Sequence, residues 1–147
     1  MLKRRIGEPW MSADAYGQSL TGLTVNILVQ DIDVSLRFQR EVLGATVVYS
    51  DPDFAVLGGF DSQWMLHADH TYSDHPLSGV VSGLEGRGAG IELRLHGCDP
   101  DQAEAAARRL DYTVLQGAAD KPHGLREAFI IDDDGYMWVP DVPIAAS

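Results

Sequence analysis

Two stretches decide the fold because they say nearly the same thing. Leu23-Thr24-Val25-Asn26-Ile27-Leu28-Val29 reads as a strand, followed by Asp31-Ile32-Asp33, a helical pattern, Leu43-Gly44 and a second strand, Thr46-Val47-Val48-Tyr49. Ile91-Glu92-Leu93-Arg94-Leu95-His96 is followed in the same order by Asp99-Pro100-Asp101, another helical pattern, Leu110-Asp111 and Tyr112-Thr113-Val114-Leu115. Two copies are too few for a solenoid. They predict instead two similar units facing each other across an axis, with a ligand site where they meet.

Working outward, each copy carries its own punctuation. In the first strand Leu23, Val25, Ile27 and Val29 share one face, and Thr24, Asn26, Leu28 and Gln30 the other. Asp31 or Asp33 can cap the helix, whose apolar stripe reads Val34, Phe38 and Val42, and Gly44 supplies its stop. After a strand at 45–50, Asp51-Pro52-Asp53 makes a turn, Phe54-Ala55-Val56-Leu57 a third strand, Gly58-Gly59 a turn, and Gln63-Trp64-Met65-Leu66-His67 a fourth strand.

In the second copy Ile91, Leu93 and Leu95 oppose Glu92, Arg94 and His96, and Asp99 caps a helix with Pro100 at its first position. Ala103, Ala106, Ala107 and Leu110 form a narrow stripe able to lie close on a sheet. Strands follow at about 112–116, 126–132 and 136–140, the last two joined by the Asp132-Asp133-Asp134-Gly135 hairpin. Residues 69–89 are a polar, glycine-rich connection. The reading is an α+β fold: an irregular arm over 1–21, with one short helical turn at Ser12–Tyr16, then a single domain over 22–147. Its two βαβββ modules span about 22–68 and 88–141.

The 147 residues suffice for one domain with a core. No apolar run approaches the roughly 20 residues of a membrane span, and Met1–Gly7 lacks the apolar centre of a secretory leader, so no membrane partner is expected. The single cysteine, Cys98, excludes an internal disulfide and points to a cytoplasmic setting. The net charge of −11, with Lys3, Arg4 and Arg5 clustered in the arm, argues against nucleic acid as a partner. That acidity serves solubility or draws a cationic ligand to an acidic groove.

A strand ending in Val29-Gln30-Asp31, a helix bearing Ser35 and Phe38 and closing on Leu43-Gly44, and the Asp132-Asp133-Asp134-Gly135-Tyr136 hairpin resemble the vicinal oxygen chelate superfamily. That family includes glyoxalase I, bleomycin-resistance proteins and extradiol dioxygenases. The resemblance implies sheets curled into an open cup, helices outside, a small organic ligand inside, and a homodimer. The metal positions of the metal-dependent members fall here on Thr24, Leu66, Glu92 and Val139. A shift of one residue in the fourth strand would put His67 in place of Leu66. The inherited metal site is therefore expected to be absent, with no cofactor, and Glu92 and His67 are the ligands if a divalent metal binds.

Glu92, Arg94 and His96 stand at i, i+2 and i+4 on one strand face. Glu92 could act as a general base and Arg94 could hold an anionic or enolate oxygen, which makes them the catalytic candidates. If that face is open to water, the charges simply pair. Thr24, Asn26, Trp64, His67, His96, His123 and Arg126 are the candidate ligand contacts, Trp64 as an aromatic wall. His67, His70 and His75 could form a relay or metal site, although their spacing matches no zinc signature. Cys98 has no basic neighbour except His96 and reads as a bystander. No Ser-His-Asp order, phosphate-binding glycine loop or Rossmann fingerprint is present. Two functions follow: a small-molecule-binding protein with a degenerate metal site, or a divalent-metal-dependent lyase, isomerase or dioxygenase with substituted ligands.

Overall fold

Each repeat builds its own four-stranded mixed sheet. The computed structural model describes residues 2–145, so Met1 and Ala146–Ser147, the outer ends of the expected arm and domain, lie outside the described residues. In the first unit β1 (Asn26–Val29) lies parallel to β4 (Ser62–Ala68), and β3 (Phe54–Gly59) and β2 (Thr46–Ser50) follow antiparallel. In the second, β5 (Glu92–His96) lies parallel to β8 (Met137–Pro143), followed by β7 (Leu125–Ile131) and β6 (Thr113–Asp120). The strand orders β1-β4-β3-β2 and β5-β8-β7-β6 are the same order written twice. The fold is the α+β pair of βαβββ modules that the repeat predicts.

The helices start where capping chemistry places them. α1 (Ala13–Ser19), longer than the single turn expected in the arm, is capped by Ser12 Oγ, which accepts from the Ala15 amide. Asp31 accepts from the Val34 amide at the head of α2 (Ile32–Arg37), which continues as a π-helical turn over Phe38–Val42. Phe38 and Val42 of the expected stripe are buried, but Val34 is exposed. The buried stripe runs through Ile32, Leu36 and Gln39 at i, i+4 and i+7, with Phe38 and Val42 beside it. Asp99 accepts from the Asp101 and Gln102 amides and opens α4 (Pro100–Arg109), whose buried Ala103, Ala106 and Ala107 let it lie on β6 and β7. The connection over 69–89 holds more structure than its glycines suggest. A 3-10 turn occupies Asp69–Tyr72, and α3 (Pro76–Val81) begins where His75 Nδ1 accepts from the Leu77 amide. Gly79, Val80 and Val81 are weak helix formers, which hid α3 from the sequence.

One hydrophobic core serves both units. Ile27, Val29, Leu57, Trp64 and Leu66 from the first sheet meet Leu95, Ile130 and Trp138 from the second, with Phe38 among them. The Trp64 and Trp138 rings lie 5.7 Å apart, and Phe38 packs edge-on against Tyr112 at 5.0 Å. The Asp134 carboxylate accepts from the Gln30 amide and from Ser35 Oγ, fastening the last hairpin of the second unit to the first. Gly135 is required there: with φ +89°, a Cβ would stand 2.1 Å from the Glu85 carbonyl oxygen. Because strand side chains alternate, Asn26, Leu28, Met65 and His67 of the first sheet point away from this core. So do Glu92, Arg94, His96, Val139 and Asp141 of the second.

Two further boundaries moved. Gly58 and Gly59 belong to β3, and the hairpin turns instead at Phe60 and Asp61, with φ of 54° and 57°. Two successive left-handed residues match the twist of the flanking strands, which outweighs the local preference for glycine. β8 runs through Pro140 to Pro143, and its register with β7 holds at Trp138–Ile130 and again at Asp141–Glu127, spanning the proline that has no N–H to give. Among the described residues no helix is long and apolar enough to cross a membrane.

Candidate functional site

The outward faces of the two sheets are chemically different walls. The fourth-strand register answers the question left open by the sequence: Leu66 is fully buried in the common core, and His67 lies on the outward face. Asn26, one strand over, donates from Nδ2 to the Tyr72 hydroxyl at 2.9 Å. Its Oδ1 is thereby turned toward His67 Nδ1, 2.5 Å away. An acceptor at Nδ1 fixes the tautomer, with the proton on Nδ1 and a lone pair on Nε2. Burial drives the His67 pKa down to about 4, with Asp51 opposing and Lys3 reinforcing, so the ring is neutral at pH 7. Phe54 packs against the imidazole at 4.7 Å and Tyr72 at 5.6 Å.

The arm lies over this wall. Asp53 accepts from the Arg4 and Arg5 amides at 2.7 and 3.2 Å, and from His70 Nε2 at 2.7 Å. Burial would raise the Asp53 pKa, but these donors outweigh it and hold the carboxyl below the ordinary range. Trp10 stacks on Tyr49 at 4.5 Å and 18°, and meets Tyr16 edge-on at 5.4 Å. Tyr49 donates to Asp51, and burial together with that carboxylate pushes its phenol up to about 12. Between arm and sheet is a cavity of about 460 Å³ whose walls include Arg5, Trp10, Tyr16, Phe54, Met65 and His67. Thr24 lies at a neighbouring cavity of about 370 Å³, also bounded by Tyr16, Leu20 and Met65. Neither cavity takes a lining residue from the second unit.

The second wall is a closed charge network. Arg94 bridges Glu127 and Asp141, the latter at 3.2 Å, and reaches Glu92 at 3.5 Å. Glu127 is 3% and Asp141 1% exposed. His96 Nδ1 donates to Asp141 at 2.7 Å and His123 Nε2 to Glu127 at 3.1 Å. Burial opposes ionisation of Glu127, yet hydrogen bonds from Arg94 and His123 prevail and keep its pKa low. Of the two catalytic candidates, Glu92 is exposed at the margin and Arg94 is occupied by three carboxylates.

The candidates therefore separate. Asn26 and His67 come together, as do Glu92, Arg94, His96 and His123, but the two groups stand on different sheets. Trp64 is not among the walls of the larger cavity and only borders the smaller one: its indole is buried on the core face, where its Nε1 donates to Gln39 Oε1 at 3.0 Å. Arg126 also faces the other way, gripping Asp101 of α4 with two 2.8 Å bonds and Asp120 with a third. The three clustered histidines take three separate tasks, His67 with Asn26, His70 with Asp53 and His75 as the α3 cap. Burial, then Asp99, raises the Cys98 thiol to about 12, consistent with a bystander.

The inherited metal positions do not fit an ion. Thr24 offers a hydroxyl, Leu66 and Val139 are buried hydrocarbon, and Glu92 is drawn to Arg94. Among the described residues no three His, Cys, Asp or Glu side chains gather to hold a metal, fewer than a hard divalent cation requires.

Reading residue by residue missed Asp53, Glu127 and Asp141. Their signal was present for the latter two: a carboxylate inside a largely apolar strand must find a cation, and Arg94 is on the strand beside Asp141 and one strand further from Glu127.

The model of the glyoxalase/bleomycin resistance protein/dioxygenase superfamily matches residues 23–139. The chain belongs to this superfamily. No curated protein matches its sequence. A glyoxalase/bleomycin resistance protein/dioxygenase from Nocardioides shares 18% identity with it, covering 91% of this chain and 94% of that one at a TM-score of 0.61. A family enzyme from Burkholderia phytofirmans PsJN gives 19%, 82% and 97%, and 0.63. TioX from Micromonospora sp. ML1 gives 18%, 86% and 99%, and 0.61. At such identities the superfamily structures share the fold alone, and the arm precedes the residues that the family model matches.

Proposed function

We propose that the protein binds a small organic molecule in the manner of the glyoxalase/bleomycin-resistance type, with a degenerate metal site. The observation that carries this reading is the aromatic cavity of about 460 Å³ on the first sheet, lined by Trp10, Phe54, Met65 and His67. Cavities of this size suit drug-sized ligands. Two of the structural relatives, from Nocardioides and Burkholderia phytofirmans PsJN, are called glyoxalase/bleomycin resistance protein/dioxygenase, a name that includes a resistance protein beside enzymes. A homodimer is part of the proposal. β1, β2, β5 and β6 are sheet edges, and Leu23 and Ile91, equivalent residues ahead of β1 and β5, are 94% and 60% exposed. We place it in the cytoplasm, with Cys98 reduced.

The test is thermal denaturation of the whole protein with 1-naphthol, then with Zn²⁺, Ni²⁺, Mn²⁺ or Fe²⁺. The aromatic should raise the melting temperature and the ions should leave it unmoved. A second reading, a divalent-metal-dependent lyase, isomerase or dioxygenase, draws on Glu92, which keeps a carboxylate at a family metal position. Stoichiometric metal in purified, tag-free protein that disappears in Glu92→Ala would establish it and sink the first.

A further inference from the structure

The cavity under the arm has a defined chemistry. We propose that it takes a flat aromatic hydrogen-bond donor, a phenol or an N–H heteroaromatic, whose O–H or N–H goes to His67 Nε2 while its ring lies against Trp10 and Phe54. This rests on the small-molecule reading above and adds two things: the class of ligand, and the arm as a wall of the site.

Three observations converge on it. The Tyr72–Asn26–His67 chain of hydrogen bonds leaves Nε2 as a lone pair, and His67 lines the cavity with that nitrogen unpartnered among the described residues. An acceptor without a partner in the wall of an aromatic space wants a donor, and an otherwise identical molecule without one leaves it unsatisfied. The wall already carries a flat aromatic of the chain's own: Trp10 lies 18° from parallel with Tyr49 and 26° from parallel with Phe54. Finally, the charged residues lining the same space are four carboxylates, Glu8, Asp14, Asp51 and Asp53, against two cations, Lys3 and Arg5, of which Arg5 is paired with Asp53 at 3.7 Å. An anion would meet these carboxylates, so a neutral donor fits better.

The probes are 1-naphthol and 1-methoxynaphthalene, which share a ring system and differ in the O–H, titrated calorimetrically into the full chain. Naphthol should bind at least about tenfold tighter, a difference of about 1.4 kcal/mol. His67→Leu should bring the two within about twofold, and Trp10→Ala should weaken both about fivefold while keeping their ratio. Equal affinities in the unaltered protein, or a preference that survives His67→Leu, would overturn the donor assignment and leave small-molecule binding standing. A Trp10→Ala variant that binds as before removes the arm from the site. Failure of both probes to bind would sink the small-molecule reading itself. Should His67→Leu fold poorly, ¹⁵N shifts of the unaltered protein decide the matter: naphthol must move the His67 Nε2 resonance far more than Nδ1.

Discussion

The two outward walls are built on the same strand order and have opposite electrostatic designs. On the second sheet every buried charge has a partner: Arg94 serves Glu127 and Asp141, and each of these also receives a histidine. On the first sheet the imidazole is neutral, its tautomer is fixed from behind by Asn26, and it lines a cavity with its other nitrogen unpartnered among the described residues. A satisfied network holds a wall together; an unsatisfied acceptor under an aromatic lid invites a guest. The two units thus share a strand order and differ in their outward walls: the second is a closed charge network, and the first lines a cavity.

Removing the network's cation should produce the largest effect. Arg94→Ala strands two carboxylates that are nearly inaccessible to water, at a cost of about 3 kcal/mol or more. For a chain of this length that is a fall of roughly 10 °C in melting temperature, measurable by calorimetry or near-ultraviolet circular dichroism. A variant that melts like the parent would mean that the network does not hold the second wall together and would return Arg94 to the catalytic candidates.

The next effect belongs to the first wall and is a matter of pH. His67 has a folded pKa of about 4 against an ordinary 6.5, so between those values the unfolded chain binds the proton and the folded one does not. Its contribution is complete above pH 6.5 and is lost as pH falls toward 4, up to about 3 kcal/mol over the window. Asp132 runs the other way. Burial, partly offset by Trp138 Nε1 and two backbone amides, raises its pKa to about 6, so it favours the folded state at lower pH. The clean measurement is therefore the difference between parent and His67→Leu stability at pH 7 and at pH 4.5. A difference independent of pH would show that the imidazole is not desolvated and would dissolve the contrast between the walls.

The sequence made the scaffold legible and the walls only half so. The repeated Asp-capped helices, the stop at Gly44 and the Asp132–Gly135 hairpin are local signals, and local chemistry placed them correctly. Which side of a strand faces the core is decided by what packs against it, and that is a property of the whole chain. Alternation put Trp64 and Leu66 on one face, yet the sequence could not say that this face meets Trp138 and Phe38. Arg126 was expected next to a loop at the cup's opening, but it lies within β7, where its neighbour Glu127 faces the wall and Arg126 faces α4. The arm had no periodic pattern to read, because its order comes from Asp53, a residue more than forty positions away.

Trp64 sharpens the contrast at a smaller scale, because it distinguishes a core aromatic from a wall aromatic. Trp64→Phe keeps most of the ring volume but leaves Gln39 Oε1 buried without its donor, which should cost about 2 kcal/mol in thermal or urea unfolding. Binding of 1-naphthol should be unchanged, whereas Trp10→Ala should weaken it with little loss of stability. An inverted result, with Trp64→Phe harming binding and sparing stability, would put the indole back in the cup.

Arg126 provides the smallest expected effect. Its three bonds to Asp101 and Asp120 are solvent-exposed, where screening and side-chain entropy cancel most of the attraction. Arg126→Ala should therefore melt with the parent at physiological salt and bind 1-naphthol equally well. The comparison with Arg94→Ala is the informative part: both arginines hold paired carboxylates, and only burial separates them. If the two variants lost similar stability, the second wall would owe nothing to desolvation. Its charges would then be free to meet a ligand, as Glu92, Arg94 and His96 on one strand face first suggested.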